Sequence, residues 1–435
     1  MKHLIVFATL ATCAQGWAQP LSLADALAYG QKHNPVLRAS EAAVAAARAD
    51  ANAAKGRLLP QLSASAWASQ GDMPNMLRSA MGVDPASMVR APQGEFFDAN
   101  LMLMAPLHTG GWLSGKATAA SARERAARAE TADARAEVSL RIREAYLRAL
   151  VGADLVATQQ ARVRAAEAMV ANARAQMEAG RGIEATVQRA EAELAEARRG
   201  ETSAENARRK ALLDLLETMG APLDQSPELA DALEGTRPRP TLEYSLAQAD
   251  AARGELQAAR RRLEAGRGDA ESASGALHPQ IYGFAMGDAF SPRDAMGRQA
   301  GVTFGVVVSV PIFDGGTRSA EAAGARSIVA QAQAEVDRVR LQVEKEVRQA
   351  WLDLETADRN LESAEAELAA SQAAYDVIAL RVQTGKGILV EQLDALTSLT
   401  RARSNRALAL YDQGLALAHL DRAIGIAIPK ESENR

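Results

Sequence analysis

Cysteine is almost absent from this sequence, since Cys13 is the only one. It lies inside an apolar run, residues 4–14, that follows a basic start and predicts a signal peptide, 1–18, cut after Ala18. A chain cut there has neither a disulfide nor a thiolate metal site. The alternative is lipidation of Cys13, because residues 10–13 resemble a lipobox, although Thr12 is unusual before the cysteine.

Aromatic residues are also scarce, at 4% of 435 residues, while 48% are hydrophobic. Most buried side chains must therefore be alanine or aliphatic, which does not favour one large globular core. Past the N-terminus there is no uncharged apolar run of 18 residues, so the sequence excludes membrane-spanning helices. If the chain meets a bilayer, we expect it to do so through strands.

No strong excess of one charge is present, because 50 Lys and Arg face 54 Asp and Glu. No basic block alternates with aromatic residues, so the sequence does not favour nucleic-acid binding. The histidines His33, His108, His278 and His419 are too scattered for a metal or nucleophile motif, and no H-E-x-x-H or G-x-S-x-G occurs. We therefore predict no enzyme activity and no cofactor.

Four methionines cluster between the first two predicted strands, at Met73, Met76, Met81 and Met88. Thioethers suit Cu(I), so a copper-efflux role is one interpretation. We favour the other, a flexible loop.

The two halves of the sequence repeat each other. Pro106-Leu107-His108-Thr109-Gly110-Gly111 recurs as Pro311-Ile312-Phe313-Asp314-Gly315-Gly316, 205 residues later. The same offset aligns residues 143–147 with 348–352 and residues 180–183 with 385–388. Such self-similarity is typical of a duplicated structural unit.

The duplication predicts a first structural repeat, 19–220, a linker, 221–240, a second repeat, 241–425, and a C-terminal tail, 426–435. In the first repeat we expect a helix over 22–58, strands about 60–70 and 97–107, a long helix 112–179 and a helix 183–219. In the second we expect a helix over 241–276, strands about 281–290 and 302–312, a long helix 317–384 and a helix 388–424. Apolar residues from Val343 to Val382 alternate steps of four and three, which indicates coiled-coil packing.

Four strands of this length fit a tilted path across a bilayer, but four cannot close a barrel, and lipid does not tolerate open sheet edges. Closure therefore requires several copies of the chain.

This arrangement resembles the TolC family of outer-membrane efflux channels, on the strength of two strand pairs, two long helical paths and P-[LI]-x-x-G-G at each strand–helix junction. The junction residues are Pro106, Gly110 and Gly111 in the first copy and Pro311, Gly315 and Gly316 in the second. The resemblance implies a mainly α fold with β: duplicated helical hairpins forming an α-helical periplasmic barrel, and four strands per chain in a homotrimeric 12-stranded transmembrane β-barrel.

The resemblance also implies a function. The chain is expected to sit in outer-membrane lipid, extend into the periplasm, and serve as the exit channel of a tripartite efflux or type I secretion system. It would passively conduct substrate from an inner-membrane RND or ABC transporter through a periplasmic adaptor, or membrane fusion protein, to the exterior. The alternative is a periplasmic coiled-coil scaffold without a channel, which the heptads alone would support.

Two tight helix-hairpin turns match the family's adaptor-binding tips. They are Gly180-Arg181-Gly182 and Gly385-Lys386-Gly387, whose glycines suit a sharp reversal. The resemblance makes Arg181 and Lys386 candidate adaptor contacts, whereas the simpler interpretation is that both turns merely close helical hairpins.

The family's paired acids at the periplasmic gate match Glu391 and Asp394, and a spacing of three places both on one helix face. In a trimer they would form two acidic rings that favour cations. The equivalent positions in the first copy are Thr186 and Arg189, and Gly387 replaces a basic residue found in some relatives. We hypothesise that Arg189 pairs with an acid of a neighbouring helix and helps to hold the gate shut.

Overall fold

The computed structural model describes residues 20–72, 93–180, 182–234, 239–292 and 299–426. These residues divide into two compact units. The first consists of the described residues within 1–42, 129–257 and 339–435, and the second of those within 43–128 and 258–338. Cys13, the signal segment, the four loop methionines and Arg181 lie outside the described residues.

Long helices make up most of the chain, as the sequence predicts. They are α1 (Leu23–His33), α2 (Pro35–Gly56), α3 (Trp112–Glu178), α4 (Glu184–Met219), α5 (Leu242–Ala252), α6 (Gly254–Gly275), α7 (Thr317–Gln383) and α8 (Leu389–Ala423). The helices α3 and α7 have 67 residues each. Within the part of the chain that the structure describes, every helix is too polar or too short to span a lipid bilayer.

Two helices that the sequence predicts as continuous are each broken once, at Asn34 and at Arg253. Both residues have extended backbone, and for Asn34 this follows from the proline after it, which disfavours a helical residue before it. Each break residue then caps another helix. The Asn34 amide donates to the Thr218 carbonyl at 2.8 Å, and the Arg253 guanidinium donates to the Arg422 carbonyl at 2.7 Å. The breaks therefore supply partners for carbonyl groups at the ends of α4 and α8.

The strands form one antiparallel sheet in the order β1–β2–β3–β4. They are β1 (Gln61–Asp72), β2 (Gln93–His108), β3 (Gln280–Pro292) and β4 (Gln299–Ser309). The strand β2 is longer than the predicted 97–107, and a register shift interrupts its pairing with β3 between Pro106 and His108. The strand β4 ends before Pro311, three residues earlier than predicted.

The two faces of the sheet differ in polarity. Since residues directly opposite each other share a face, Leu62, Leu103, Ala285 and Phe304 form one row, and Ala64, Leu101, Gly287 and Val302 form the next. This apolar face is open, with Phe304 and Val302 each 80% exposed. On the opposite face the Ser65 hydroxyl donates to the Asn100 side-chain oxygen at 2.8 Å.

The predicted heptad seams lie in the core of the first unit. Val343, Val347 and Leu354 of α7 are buried, and so are Val138 and Ile142 of α3, which lie 205 residues before Val343 and Val347. The seam is less complete toward the end of α3, where Met177 is 39% exposed.

Two aromatic residues at equivalent repeat positions hold the linker. The buried Tyr146 hydroxyl lies 2.7 Å from the Asp231 carboxylate and 2.9 Å from the Leu21 carbonyl. Burial, together with the hydrogen bond to Asp231, raises the pKa of Tyr146, so its phenol stays neutral. The Trp351 indole donates to the Pro240 carbonyl at 3.0 Å. The middle of the linker and its C-terminal end are therefore fixed to long helices.

In the second unit, glycines allow α3 and α6 to pack with their backbones in close approach. A Cβ atom at Gly268 would lie 2.7 Å from the Ala119 nitrogen, and one at Gly115 would lie 2.4 Å from the Ser272 nitrogen. Both distances are shorter than van der Waals contact, so these positions require glycine.

Candidate functional site

The two hairpin turns use their paired glycines in different ways. The first glycine of each pair, Gly180 or Gly385, has a φ of 71°, which favours glycine. The second has an ordinary φ but lies close to the preceding helix. A Cβ at Gly182 would be 3.0 Å from the Met177 nitrogen, and one at Gly387 would be 3.0 Å from a Val382 methyl group.

After each turn the chain enters its next helix through an exposed isoleucine. Ile183 before α4 is 67% exposed and Ile388 before α8 is 60% exposed, and neither helix has a side-chain cap. Isoleucine is a poor N-cap, because it offers no oxygen to the first N–H groups. Lys386 is exposed beside this end of α8, so the described tip combines a cation, an apolar side chain and free N–H groups.

Glu391 and Asp394 occupy the first turns of α8 and are both exposed. Leu396, on the opposite face of the helix, is buried, and so is Ala395, one turn after Glu391. Leu396 belongs to a cluster with Met169, Val170 and Ala173 of α3 and Val187 and Ala190 of α4, against which Tyr375, Leu389 and Leu393 also pack. Both acids therefore lie outside the face of α8 that packs through Leu396, with Glu391 at its edge.

Thr186 and Arg189 occupy the matching turns of α4. Val187 and Ala190, the neighbours of these two residues along the chain, are the buried members of the same cluster, and Arg189 is exposed. The four candidate gate residues thus lie on helices that one core holds together. Among the described residues of a single chain, Arg189, Glu391 and Asp394 are in no ion pair, so their charges face solvent.

The two strand–helix junctions share a backbone but differ in packing. All four glycines have positive φ, from 59° at Gly110 to 99° at Gly111. A Cβ at Gly110 would lie 2.5 Å from that of His278, whereas one at Gly315 would meet nothing within 4 Å. The residue before the glycines caps the new helix in both copies. The Asp314 carboxylate accepts from the Gly316 and Arg318 N–H groups at 3.0 and 3.2 Å, and the equivalent Thr109 hydroxyl accepts from the Leu113 N–H at 3.4 Å. Pro106 lies within β2 and Pro311 lies after β4.

Sequence reasoning missed an ionic cluster beside the break at Arg253. Arg253 donates to Glu346 at 2.6 Å, and Arg422 donates to Asp133 and Glu137 at 2.9 and 3.2 Å. Burial alone would raise the pKa of Glu137, but hydrogen bonds from Arg141 and Arg422 outweigh it and lower the pKa. The only sequence signal was that Arg253 aligns with Asn34, which precedes a proline, at the offset of 219 residues that also pairs Leu23 with Leu242.

A family model described as outer membrane efflux protein matches the chain twice, over residues 30–221 and 245–426. The chain belongs to the outer membrane efflux protein family. Members of this family are outer-membrane channels, not enzymes, so the family confirms the predicted location and the prediction that the chain is not an enzyme.

Individual relatives are distant in sequence and close in fold. The efflux protein is 26% identical to the outer membrane efflux protein BepC of Brucella suis over 275 residues, which cover 62% of this chain and 59% of BepC. The Campylobacter jejuni outer membrane channel CmeC is 17% identical, with a TM-score of 0.78, over 95% of this chain and 87% of CmeC. The Vibrio cholerae outer membrane protein VceC is 18% identical, with a TM-score of 0.77, over 93% of this chain and 96% of VceC.

Proposed function

We propose that the efflux protein is a homotrimeric exit channel that passively conducts substrate from an inner-membrane pump and periplasmic adaptor to the exterior. The observation that carries this proposal is the four-stranded sheet. Its outer strands, β1 and β4, each pair with one neighbour among the described strands, and one of its faces is apolar and open. Such a sheet is stable in lipid only when copies of the chain pair edge to edge and close it.

The strand count favours three copies over two. Two chains would supply eight strands, and a barrel of that size is filled by its own side chains or holds one small ligand. Three chains would supply twelve strands and a wider interior. A conducting channel therefore requires at least the trimer.

The hairpin tips support docking to a periplasmic adaptor that serves an RND or ABC transporter in efflux or type I secretion. Exposed Ile388 and Lys386, with uncapped N–H groups behind them, offer a partner apolar, ionic and hydrogen-bonding contacts within one turn. Glu391 and Asp394 lie immediately after this tip, which suits a cation-favouring entrance that docking could open.

Purified outer membranes provide the test. We expect a species that migrates as a trimer in unheated gel samples and as a monomer after heating, and that gives discrete conductance steps in planar bilayers. A chain recovered only as a periplasmic monomer would overturn the channel and favour the coiled-coil scaffold. A trimer that does not conduct would retain the assembly and overturn conduction.

A further inference from the structure

Three methionines lie together on the polar face of the sheet. Met102 of β2 lies directly opposite Met286 of β3, and the row continues to Ser63 on one side and Thr303 on the other. Met104 lies two residues along β2 on the same face, where its partner is Phe284. Met104 is 39% exposed, and Met102 and Met286 are half-buried.

These methionines are not part of the apolar surface. The opposite face is built from leucine, valine, alanine and phenylalanine, and among the described paired residues it has no methionine. The face on which they lie is mixed, since it carries Ser63, Ser65, Asn100 and Thr303 as well as Phe284 and Val307.

The wider sequence has the same bias. Eight of the 12 methionines lie within residues 61–108 and 280–309, which are less than a fifth of the chain. Met169 and Met219, by contrast, are fully buried in helical cores, where a flexible side chain fills gaps. Of these eight, Met102, Met104 and Met286 lie in strands, and the other five lie in the sequence between strands, outside the described residues.

We propose that Met102, Met286 and Met104 form a binding site for a soft monovalent cation, Cu(I) or Ag(I). Cβ atoms directly opposite in an antiparallel pair are about 5 Å apart, and alternate residues of a strand are about 7 Å apart. Methionine has three rotatable side-chain bonds, so three sulfur atoms at these positions converge on one ion. Neutral thioethers prefer Cu(I) over hard or divalent metals, which select nitrogen and oxygen ligands.

The site follows from the strand register of one chain, and only its position on a channel wall depends on the proposed function. In a trimeric barrel whose apolar face meets lipid, the polar face lines the interior, and three copies of the site surround the pore. A solvent-open site without a charged ligand exchanges its ion readily, which suits an ion in transit. Soft metal ions are then a substrate class that this channel contacts directly.

Silver ion provides a redox-inert probe, titrated calorimetrically into the detergent-purified protein in chloride-free buffer. We expect saturable Ag(I) binding that the double substitution Met102→Leu/Met286→Leu weakens by at least about tenfold, because the change conserves volume and removes ligands. The control is Met177→Leu, at an exposed methionine near the end of α3, and it should bind as the wild type does. Trimer migration in unheated gels, measured on every variant, separates lost binding from failed assembly.

A second variant addresses four of the five other methionines of this region. Replacing Met73, Met76, Met81 and Met88 together by leucine should leave binding at the strand site in place. In the wild type, methyl carbon resonances of Met102 and Met286 should shift when Ag(I) is added. Three results would each overturn the proposal, whatever the conductance of the channel. They are unchanged affinity in Met102→Leu/Met286→Leu, complete loss of binding in the variant with four loop methionines replaced, and methyl resonances of Met102 and Met286 that do not shift.

Discussion

The guanidinium of Arg143 on α3 donates to the carboxylate of Asp421 on α8 over 2.8 Å, with both side chains over nine-tenths buried. A buried charge that loses its partner remains desolvated and uncompensated, which costs far more than the intact pair contributes. We therefore predict that Asp421→Ala lowers the free energy of unfolding by about 3 kcal/mol. Denaturant unfolding of the detergent-solubilised protein, followed by circular dichroism, provides the measurement.

The duplication supplies a matched control for this pair. Arg348 lies at the position equivalent to Arg143, but its ion pair with Glu344 is about half exposed. Such a surface pair contributes less than about 1 kcal/mol, so Glu344→Ala should have little effect. Equal losses in the two variants would mean that burial does not decide the energy of these pairs.

Stability should also depend on His419, whose imidazole lies 3.2 Å from the Glu144 carboxylate. The hydrogen bond to Glu144, with the charges of Glu144, Asp353 and Glu137, raises the pKa of His419 above 6.5 against an opposing effect of burial. Because the folded pKa is above the unfolded one, the stabilisation is complete below pH 6.5 and is lost as the pH rises through the folded pKa.

The expected result is a pH-dependent effect of His419→Gln. Its melting temperature should fall further below that of the wild type at pH 5.5 than at pH 8.5, two values chosen to bracket the ordinary histidine pKa of about 6.5. Glu144→Gln, which removes the charge of the partner carboxylate, should also reduce the pH dependence of the melting temperature. If the difference between wild type and His419→Gln is the same at both values, the ion pair does not contribute.

Close packing of α3 on α6 predicts opposite effects for two glycines that lie two positions apart on α6. A Cβ at Gly268 would lie 2.7 Å from the Ala119 nitrogen, whereas one at Gly266 would come no closer than 3.9 Å to Val329. Gly268→Ala should therefore cost about 1–3 kcal/mol through overpacking. Gly266→Ala should stabilise the helix by about 0.5–1 kcal/mol, because alanine loses less backbone entropy. Thermal unfolding of both variants measures the contrast.

Much of this fold is encoded locally and can be predicted from the sequence. The heptad spacing around Val347 and the glycine pairs that include Gly180 and Gly385 each depend on a few neighbouring residues. The break at Arg253 could not be predicted in this way. It depends on the end of α8, where the Arg422 carbonyl accepts from it and the Gly425 backbone lies close, more than 160 residues away in sequence.

The same distinction applies to the candidate site. The spacing of Glu391 and Asp394 predicts a shared helix face, and the structure exposes both. Which charges they meet depends on neighbouring chains of the proposed trimer, and a single sequence has no pattern for such contacts. The buried pair of Arg143 with Asp421 was missed for a related reason, since its two residues are 278 positions apart.

The proposed gate makes a prediction about conductance. Arg189 is exposed on α4 and in no ion pair within the described part of one chain, which leaves its guanidinium available to an acid of a neighbouring chain. If that contact helps to close the entrance, Arg189→Ala should raise single-channel conductance in planar bilayers. Arg199→Ala, which removes another exposed arginine further along α4, should leave conductance unchanged.

The acids should control ion selectivity independently of that contact. Two rings of carboxylates at a narrow entrance concentrate cations, so Glu391→Gln with Asp394→Asn should lower the cation-to-anion permeability ratio. The effect should weaken at high salt, because ions screen exposed charges over about 10 Å at 0.1 M. The control is Glu201→Gln, which neutralises an acid in the middle of α4, and it should leave the ratio unchanged. If the double variant leaves the cation-to-anion permeability ratio unchanged, the selective constriction lies elsewhere along the channel. This conclusion would hold even if Arg189→Ala raises the conductance.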